Sequence, residues 1–244
     1  MWWQGEDNLP AIVRLCFASM RKHCGSHRLI IITKDNYQEY ITIPEHILAK
    51  VQSGSITLTY LSDIIRVNLL AKYGGLWMDS TIFVAGEIPE EIFSMEYFTI
   101  KHDKDRDLNQ TCISFDRWTG YCFAARDRNN LLFSFLSDMC SEYWKNHDSL
   151  IDYLLIDYFI ALPFKEFPEF HKAWQNIPVN NVNSWGLLHH LVNNELDAEK
   201  YSYMTKTTQF FKLSWKEKFN TKTSSGIKTT YGRLLSEYGI TPSE

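Results

Sequence analysis

The chain has 244 residues, of which 45% are hydrophobic and 15% aromatic, so it is long enough to bury one substantial core. Its formal net charge is −4, with Lys and Arg scattered along the chain, and this argues against binding to nucleic acid. The five cysteines include no C-x-x-C pair, which argues against a disulfide framework and predicts buried free thiols in a reducing cytoplasm. No apolar run approaches the roughly 20 residues that span a bilayer. We therefore expect a soluble cytoplasmic protein that touches the inner face of the membrane at most peripherally.

The amino-terminal segment has a β-α-β pattern. Met1-Trp2-Trp3 is typical of the end of an apolar strand. A helix is predicted next, with Pro10 in its first turn, Gly25 after its end, and one apolar face formed by Ile12, Val13, Cys16, Phe17 and Met20. The run Leu29-Ile30-Ile31-Ile32 predicts a buried, parallel strand. This order of elements indicates an α/β domain.

The next segment is the most informative part of the chain. A helix capped by Ser62 is predicted from Asp63 to about Lys72, and Gly74-Gly75 ends it in a left-handed conformation. Leu76-Trp77-Met78 is then a short strand that places a carboxylate, Asp79, at its carboxyl end. Ligands bind at this end of the strands in open α/β sheets, so the pattern predicts a ligand site at Asp79.

The rest of the chain is predicted to alternate between strands, helices and loops. Apolar runs predict strands at 97–100, 121–125 and 209–213. Helical periodicity is found at 130–146, 152–164 and 185–196. We expect the polar segment from Lys101 to Trp118 to be a surface excursion, and the polar tail after Thr221 to be loosely held.

The central segment resembles a known signature. Ser62-Asp63-Ile64-Ile65-Arg66, then Leu69-Leu70, then Tyr73-Gly74-Gly75-Leu76-Trp77-Met78-Asp79 is similar to the S-D-x-x-R…Y-G-G-x-[YW]-x-D-x-[DT] block of the DxD-type sugar transferases. This group includes the capsular polysaccharide synthesis proteins, glycosyltransferase family thirty-two and the large clostridial glucosylating toxins. The first of these is the most similar, because the likeness extends from Trp2 to Lys216 through Trp2-Trp3-Gln4-Gly5, Asp152-Tyr153-Leu154-Leu155-Ile156-Asp157-Tyr158 and Lys212-Leu213-Ser214-Trp215-Lys216.

The resemblance implies a GT-A fold, with a mainly parallel central sheet flanked by helices and a helical carboxyl-terminal lobe. We therefore expect one domain over 1–244, with a nucleotide-sugar-binding part at 1–128, a helical acceptor-side part at 129–221 and a tail at 222–244. It also implies retaining transfer from a nucleotide-diphosphate sugar, with UDP as the expected nucleotide, to a saccharide acceptor that is free or lipid-linked. Mn²⁺ or Mg²⁺ is the implied cofactor. Members usually carry several apolar residues before the tryptophan pair, whereas here Met1 stands where that first strand should already be under way. A truncated start and an authentic start both stay open.

Asp79 is the predicted metal anchor. A carboxylate at a strand end suits a hard divalent cation that bridges the leaving diphosphate and stabilises its developing charge. Thr81 stands where the D-x-D pattern has its second acidic residue, and we assign it to the metal site with Asp79. Ser80 is assigned to donor binding. The alternative for Asp79 is an aspartate that only caps a turn.

Three further residues are candidates for the chemistry or the donor sugar. Asp63 and Arg66 lie three residues apart, hence on one helical face, and by resemblance they reach the sugar or ribose of the donor. An intrahelical ion pair is the alternative. Asp157 follows an apolar stretch, and because an isolated buried carboxylate is costly, we expect it to be paired or to lie at a site. Asp79, Arg66 and Asp157 are the predicted catalytic residues.

The ends of the chain supply the remaining donor-binding candidates. Trp2, Trp3 and Gln4 are predicted to frame the nucleotide base, with aromatic core packing as the alternative. Lys212 and Lys216 are predicted to neutralise phosphate, with ordinary solvated lysines as the alternative. Adjacent residues on a helix point about 100° apart, so we expect His189-His190 to be ordinary helix histidines rather than metal ligands.

These assignments predict a metal-dependent hexosyltransferase of capsular or surface polysaccharide synthesis. Two other functions stay open. One is a metal-dependent nucleotide-sugar hydrolase or phosphodiesterase, and the other is a non-catalytic protein that binds a nucleotide sugar or a glycan.

Overall fold

The computed structural model describes residues 1–102 and 112–242. The α-helices in chain order are α1 (Ala11–His23), α2 (Glu45–Gln52), α3 (Leu58–Tyr73), α4 (Glu91–Ser94), α5 (Leu131–Asn146), α6 (Leu155–Glu166), α7 (Pro168–Gln175), α8 (Ala198–Thr207) and α9 (Thr230–Glu237). A 3₁₀ turn spans Tyr37–Glu39, and a π-helix spans Leu187–Leu191. The strands are β1 (Gly75–Met78), β2 (Ile82–Val84), β3 (Tyr97–Thr99), β4 (Cys122–Ala125) and β5 (Phe210–Lys212).

The strands form two small sheets. One has the order β1-β4-β3, and the other consists of β2 and β5. β3 and β4 are antiparallel, with Tyr97 opposite Ala125, and β2 and β5 are antiparallel, with Ile82 opposite Lys212. The class is α/β, as predicted. The β3–β4 and β2–β5 pairs are both antiparallel, so the described residues do not show the mainly parallel central sheet that we expected.

The chain divides into two compact units that are interleaved along the sequence. The first comprises Met1, Ile32–Trp77 and Glu90–Val179, and the second comprises Trp2–Ile31, Met78–Pro89 and Asn180–Glu244. The expected single domain over 1–244, with its parts at 1–128, 129–221 and 222–244, stays a prediction.

In the first unit, α3 packs against α5 and presents an apolar face that includes Leu61, Ile64 and Ile65. The hydroxyl of Thr57 caps this helix by accepting a hydrogen bond from the Tyr60 N–H at 3.3 Å. The predicted cap at Ser62 is therefore wrong: the helix begins at Leu58, and Ser62 lies within it. An apolar helical face continues upstream of Ser62, and Thr57 is the first capping side chain before that face.

The end of α3 is confirmed as a glycine stop. Gly74 has a φ of 66° and donates its N–H to the Leu70 carbonyl at 3.0 Å, and Gly75 has a φ of 84°. Both conformations favour glycine because a side chain would be strained there. A Cβ atom on Gly74 would lie 2.7 Å from the carbonyl oxygen of Ala125. The helix therefore ends where its chain passes against the backbone after β4.

An aromatic core covers the β3–β4 pair in the first unit. Tyr97 stacks on Trp174 with ring centroids 5.8 Å apart, and Trp118 meets Trp174 edge to face at 6.0 Å. Trp118 is only 1% exposed, although we expected it to end a surface excursion. That expectation is wrong for Trp118, and residues 103–111 of the same segment lie outside the described residues. The Trp118 ring is buried because it packs against residues distant in sequence. The polar residues next to Trp118 in the sequence give no sign of this burial.

In the second unit, α1 packs against β2. The fully buried Ser19 joins them, since its hydroxyl accepts the Val84 N–H at 2.9 Å and donates to the Cys16 carbonyl at 2.7 Å. The carboxyl-terminal segment differs from the loose tail that we expected, because α9 buries Tyr231, Leu234 and Leu235.

Two predicted strands at the amino terminus are not formed. Leu29–Ile32 is outside any described strand, and Ile30 is 38% exposed. Met1-Trp2-Trp3 is also outside the described strands, and the Gly5 N–H closes a turn onto the Trp2 carbonyl at 3.2 Å. Apolar composition favours burial, but a strand also needs a partner for its backbone groups. The predictions for β3, β4, β5 and α5 are confirmed.

Candidate functional site

Asp79 lies in the second unit, in the turn between β1 and β2. β1 ends at Met78, and the Ile82 N–H donates to the Asp79 carbonyl at 3.0 Å, which closes the turn over Ser80 and Thr81. This turn keeps the side chains of Asp79 and Thr81 near each other. The prediction that a short strand delivers Asp79 at its carboxyl end is confirmed for the backbone.

Lys212 is brought to this turn by the β2–β5 pair. It lies opposite Ile82 in the antiparallel register, and Ile82 directly follows Thr81 in the sequence. Its Nζ donates to Thr81 Oγ1 at 2.6 Å and lies 3.4 Å from Asp79 Oδ2. The side chain of Lys212 is 17% exposed and that of Asp79 is 30% exposed, so the ion pair is partly shielded from water. We call these three residues the Asp79–Thr81–Lys212 cluster.

Backbone hydrogen bonds fix the strand that carries Lys212. The Leu213 N–H donates to the Thr81 carbonyl at 2.8 Å, and the Lys212 N–H donates to the Ser184 carbonyl at 2.6 Å. The buried Asn181, at a φ of 49°, accepts the Gln209 and Phe210 N–H groups on its Oδ1 at 2.7 and 3.0 Å. Asparagine tolerates a left-handed backbone. Its side-chain oxygen here accepts backbone N–H groups that would otherwise need a neighbouring strand as their partner. Sequence analysis missed Asn181, and an asparagine 29 residues before the first residue of β5 gives no local signal.

The cluster does not fit a divalent cation as it stands. Mg²⁺ and Mn²⁺ keep several waters and often bind only one or two protein oxygens, so the number of ligands is not the obstacle. The obstacle is that the ammonium of Lys212 already contacts Asp79 Oδ2 and Thr81 Oγ1. A cation between them would also meet the like charge of Lys212. Within residues 1–102 and 112–242, no group of three or more His, Cys, Asp or Glu side chains could hold a metal ion. Mn²⁺ or Mg²⁺ at Asp79 and Thr81 stays a prediction of the resemblance.

The second unit also contains the donor-binding candidates Trp2, Trp3, Gln4 and Lys216. Trp2 meets Trp215 edge to face, with ring centroids 6.0 Å apart. Trp3 is half-buried and Gln4 is exposed. Lys216 is exposed, and its backbone N–H donates to the Ser214 hydroxyl at 3.2 Å. The structure thus brings Lys212 to Asp79, and it pairs Trp2 with a tryptophan that sequence analysis did not assign to the site.

A pocket of about 510 Å³ also lies in the second unit. It is lined by the start of α1, by α9 and by the segment after β5, including Trp215, Phe219 and Tyr231. His189 and His190 are exposed on the π-helix, where His189 stacks on Trp185.

Asp63 and Arg66 form an ion pair in the first unit, on one face of α3 as predicted. The Arg66 side chain is 4% exposed, and its guanidinium carbon lies 5.9 Å from the centre of the Trp77 ring. A Cβ atom on Gly120 would lie 3.4 Å from Arg66 Nη1, so the chain passes close to the guanidinium there. Burial of the charge makes the Asp63 partner necessary.

Asp157 lies in the first turn of α6 and is 7% exposed. It accepts a hydrogen bond from Trp118 Nε1 at 2.8 Å. Burial raises the pKa of the Asp157 carboxyl above its ordinary value, while the Trp118 hydrogen bond and the positive charge of Arg66 oppose the rise. The expectation that Asp157 is paired is confirmed, and the first unit places it within electrostatic reach of Arg66. Trp118 was missed, because it is 39 residues away in sequence.

The comparisons with known proteins give one match. A family model described as "Capsular polysaccharide synthesis protein" matches residues 1–234. No curated protein and no solved structure matches the chain. Across the part of the chain that the structure describes, no helix is long and apolar enough to cross a membrane. Because the match covers nearly all of the 244 residues and agrees with the resemblance of the Ser62–Asp79 segment, the chain belongs to the capsular polysaccharide synthesis protein family.

Proposed function

We propose that the chain is a glycosyltransferase that moves a hexose or N-acetylhexosamine from a nucleotide-diphosphate sugar to a growing glycan of a capsule or surface polysaccharide. UDP is the expected nucleotide. The observation that carries the proposal is the Asp79–Thr81–Lys212 cluster, which follows β1 in a member of the capsular polysaccharide synthesis family. Family membership supports sugars as substrates, and the cluster supplies charged groups of the kind that a diphosphate needs.

The proposed reaction exchanges one bond at the anomeric carbon for another. The bond from C1 of the sugar to the diphosphate oxygen breaks, and its electron pair stays on that oxygen. The acceptor hydroxyl oxygen bonds to C1 from the same face, and its proton passes to the leaving diphosphate. Negative charge that develops on the diphosphate is stabilised by a positioned cationic group, and Lys212 is such a group.

In the first unit, we propose from the resemblance that Asp63 binds hydroxyl groups of a sugar and that Arg66 supports it. Asp63 is 17% exposed, whereas Arg66 is almost fully buried and pairs with it. Asp157 is buried, accepts a hydrogen bond from Trp118 and lies within electrostatic reach of Arg66, so we assign it to balancing the charge of Arg66. These roles are narrower than the catalytic roles predicted for Arg66 and Asp157, and they follow from burial.

The test is a product analysis with a panel of nucleotide sugars, each with and without saccharide acceptors. A transferase releases the nucleoside diphosphate only when an acceptor is present, and the acceptor gains the mass of one sugar. Equal release without acceptor, with free sugar as the product, would identify a hydrolase. Binding without any consumption of donor would identify a non-catalytic binding protein.

Asp79→Asn is the matching variant. We expect the transfer rate to fall by roughly 100-fold or more, because the carboxylate that holds Lys212 loses its charge, while the melting temperature stays close to that of the wild type. Asp7→Asn removes one exposed carboxylate from the same unit and should leave the rate unchanged. A wild-type rate in Asp79→Asn would remove Asp79 from the mechanism.

A further inference from the structure

The two oxygens predicted to bind a metal both face one nitrogen atom. Thr81 Oγ1 is 2.6 Å from Lys212 Nζ, and Asp79 Oδ2 is 3.4 Å from the same atom. Asp79 and Thr81 are the first and last positions of the D-x-[DT] pattern, so the ammonium lies where that pattern would direct a cation. A cationic group of the protein itself thus contacts both side chains that were predicted to hold a metal.

Thr81 explains why an ammonium suits this position better than a divalent ion does. A threonine hydroxyl is neutral and accepts a hydrogen bond from N–H well, whereas a second carboxylate would add the negative charge that holds Mg²⁺ or Mn²⁺. Thr81 is 4% exposed, and its hydroxyl accepts a short hydrogen bond from Lys212 Nζ at 2.6 Å. The departure from the D-x-D pattern and the lysine are therefore matched to each other.

Lys212 is also held in place by its strand. Its neighbour Leu213 is hydrogen-bonded through its N–H to the Thr81 carbonyl at 2.8 Å, and its own N–H is bonded to Ser184. The main chains of β5 and of the Asp79 turn are thus tied together directly beside the side-chain contact. An ammonium fixed in this way costs little further entropy when an anion binds to it.

Cys16 of α1 is a titratable group within electrostatic reach of Lys212. Burial raises the pKa of the Cys16 thiol far above its ordinary value, although the positive charge of Lys212 opposes the rise. The thiol is therefore neutral and does not compete for the ammonium. Asp79 is the carboxylate that the ion pair uses.

We propose that Lys212 is a built-in replacement for the divalent cation, so that the chain binds the diphosphate of its donor through this ammonium and without Mn²⁺ or Mg²⁺. The inference rests on the proposed function, since it assumes a nucleotide-diphosphate ligand. It assigns Lys212 to the phosphate groups and gives Asp79 and Thr81 the role of positioning it.

The experiment measures the affinity for UDP by calorimetry, in EDTA and in Mn²⁺, for the wild type and for Lys212→Met, Lys212→Arg and Lys206→Met. We expect equal wild-type affinity in both conditions. Lys212→Met should lose at least tenfold in EDTA, and Lys212→Arg should recover part of this loss because it keeps the positive charge. Lys206→Met, an exposed lysine of α8 in the same unit, is the matched control and should bind like the wild type.

Three results would overturn the inference. One is wild-type UDP binding at least tenfold weaker in EDTA than in Mn²⁺. Another is unchanged binding by Lys212→Met in EDTA. The third is wild-type binding of Mn²⁺ alone, measured by electron paramagnetic resonance and lost in Asp79→Asn. If no nucleoside diphosphate from a wider panel binds in either condition, the proposed function fails instead, and the Mn²⁺ measurement still decides whether Asp79 is a metal site.

Discussion

The environment of Asp157 shows how burial and hydrogen bonding act on the pKa of one carboxyl group. Its carboxyl is buried in the first turn of α6, where a helix N-terminus and Trp118 Nε1 both favour the charged form. Burial nevertheless raises its pKa, so the loss of water around the carboxyl outweighs these contacts and the charge of Arg66. The folded protein therefore holds the Asp157 proton more tightly than the unfolded chain does.

This shift predicts a pH dependence of stability. Between the unfolded pKa near 3.8 and the higher folded value, the folded state binds more protons, so the contribution of Asp157 to stability falls as pH rises. Asp157→Asn keeps an oxygen for Trp118 and removes the titration. We expect its free energy of unfolding, relative to the wild type, to increase from pH 4 to pH 7. Urea denaturation at both pH values measures this, and a constant difference would contradict the shift.

At the scale of single residues, the sequence predicted which side chains are buried or share a helical face, but it did not predict the residues that they contact. The apolar stretch before Asp157 predicted burial and pairing, and the spacing of Asp63 and Arg66 predicted their shared face. The partner Trp118 was out of reach, as was the contact from Lys212 to Asp79 across 133 residues. Local patterns carry no information about which side chains meet after the chain has folded.

At the scale of elements, the junction of α3 with β1 sets the position of the strand that precedes Asp79. Gly74 and Gly75 both have positive φ, and Gly74 alone lies against the backbone of Ala125, Arg126 and Asp127. The two glycines thus separate two physical effects. At Gly75 only backbone strain opposes a side chain, and at Gly74 a steric clash is added.

Gly74→Ala should therefore destabilise the protein more than Gly75→Ala. Strained backbone costs about 1–3 kcal/mol at each position. The Gly74 variant also places its Cβ 2.7 Å from a backbone oxygen, which must move. Comparison of the two variants by chemical denaturation measures the difference. Equal free energies of unfolding would mean that the chain after β4 yields easily.

Element boundaries could be predicted where the residues at or next to the boundary determine it. The glycine stop after α3 and the strand Leu76–Met78 are cases of this kind. The Leu29–Ile32 segment shows the limit, because its β-branched composition suits a strand and yet it has none in the described structure. Pairing depends on a neighbour that the local sequence does not contain.

At the scale of the molecule, the second unit draws on both ends of the chain and on the β2 segment. α9 buries Leu234 and Leu235 in this unit, and a buried leucine contributes about 1.5–3 kcal/mol. The carboxyl-terminal segment therefore supplies a large part of a domain stability that is only about 5–15 kcal/mol in total.

Truncation after Thr221 should abolish cooperative unfolding of the second unit. Leu235→Ala is the milder version and should cost about 2–5 kcal/mol. Arg233→Ala changes an exposed residue of the same helix and should cost much less. Thermal and urea unfolding followed by circular dichroism compare the three proteins. If the truncated chain unfolds with an unchanged transition, the tail after Thr221 is loosely held, as its polar composition predicted.

The family and the α/β class could both be predicted from the sequence, because the Ser62–Asp79 segment holds many fixed offsets in one place. The mainly parallel sheet was also predicted, but the described residues do not show it. The partner of β2 is β5, more than a hundred residues later, and the direction in which they pair is decided by the path of the whole chain.

The side chain of Asn181 has a practical consequence for protein design. One amide oxygen holds two successive backbone N–H groups of the segment that leads to Lys212. Transplanting only the aspartate, threonine and lysine into another scaffold would leave the lysine strand without this brace. A working graft would have to include the 181–184 loop as a third piece, and asparagine would be hard to replace, since aspartate adds charge and glycine has no oxygen to offer.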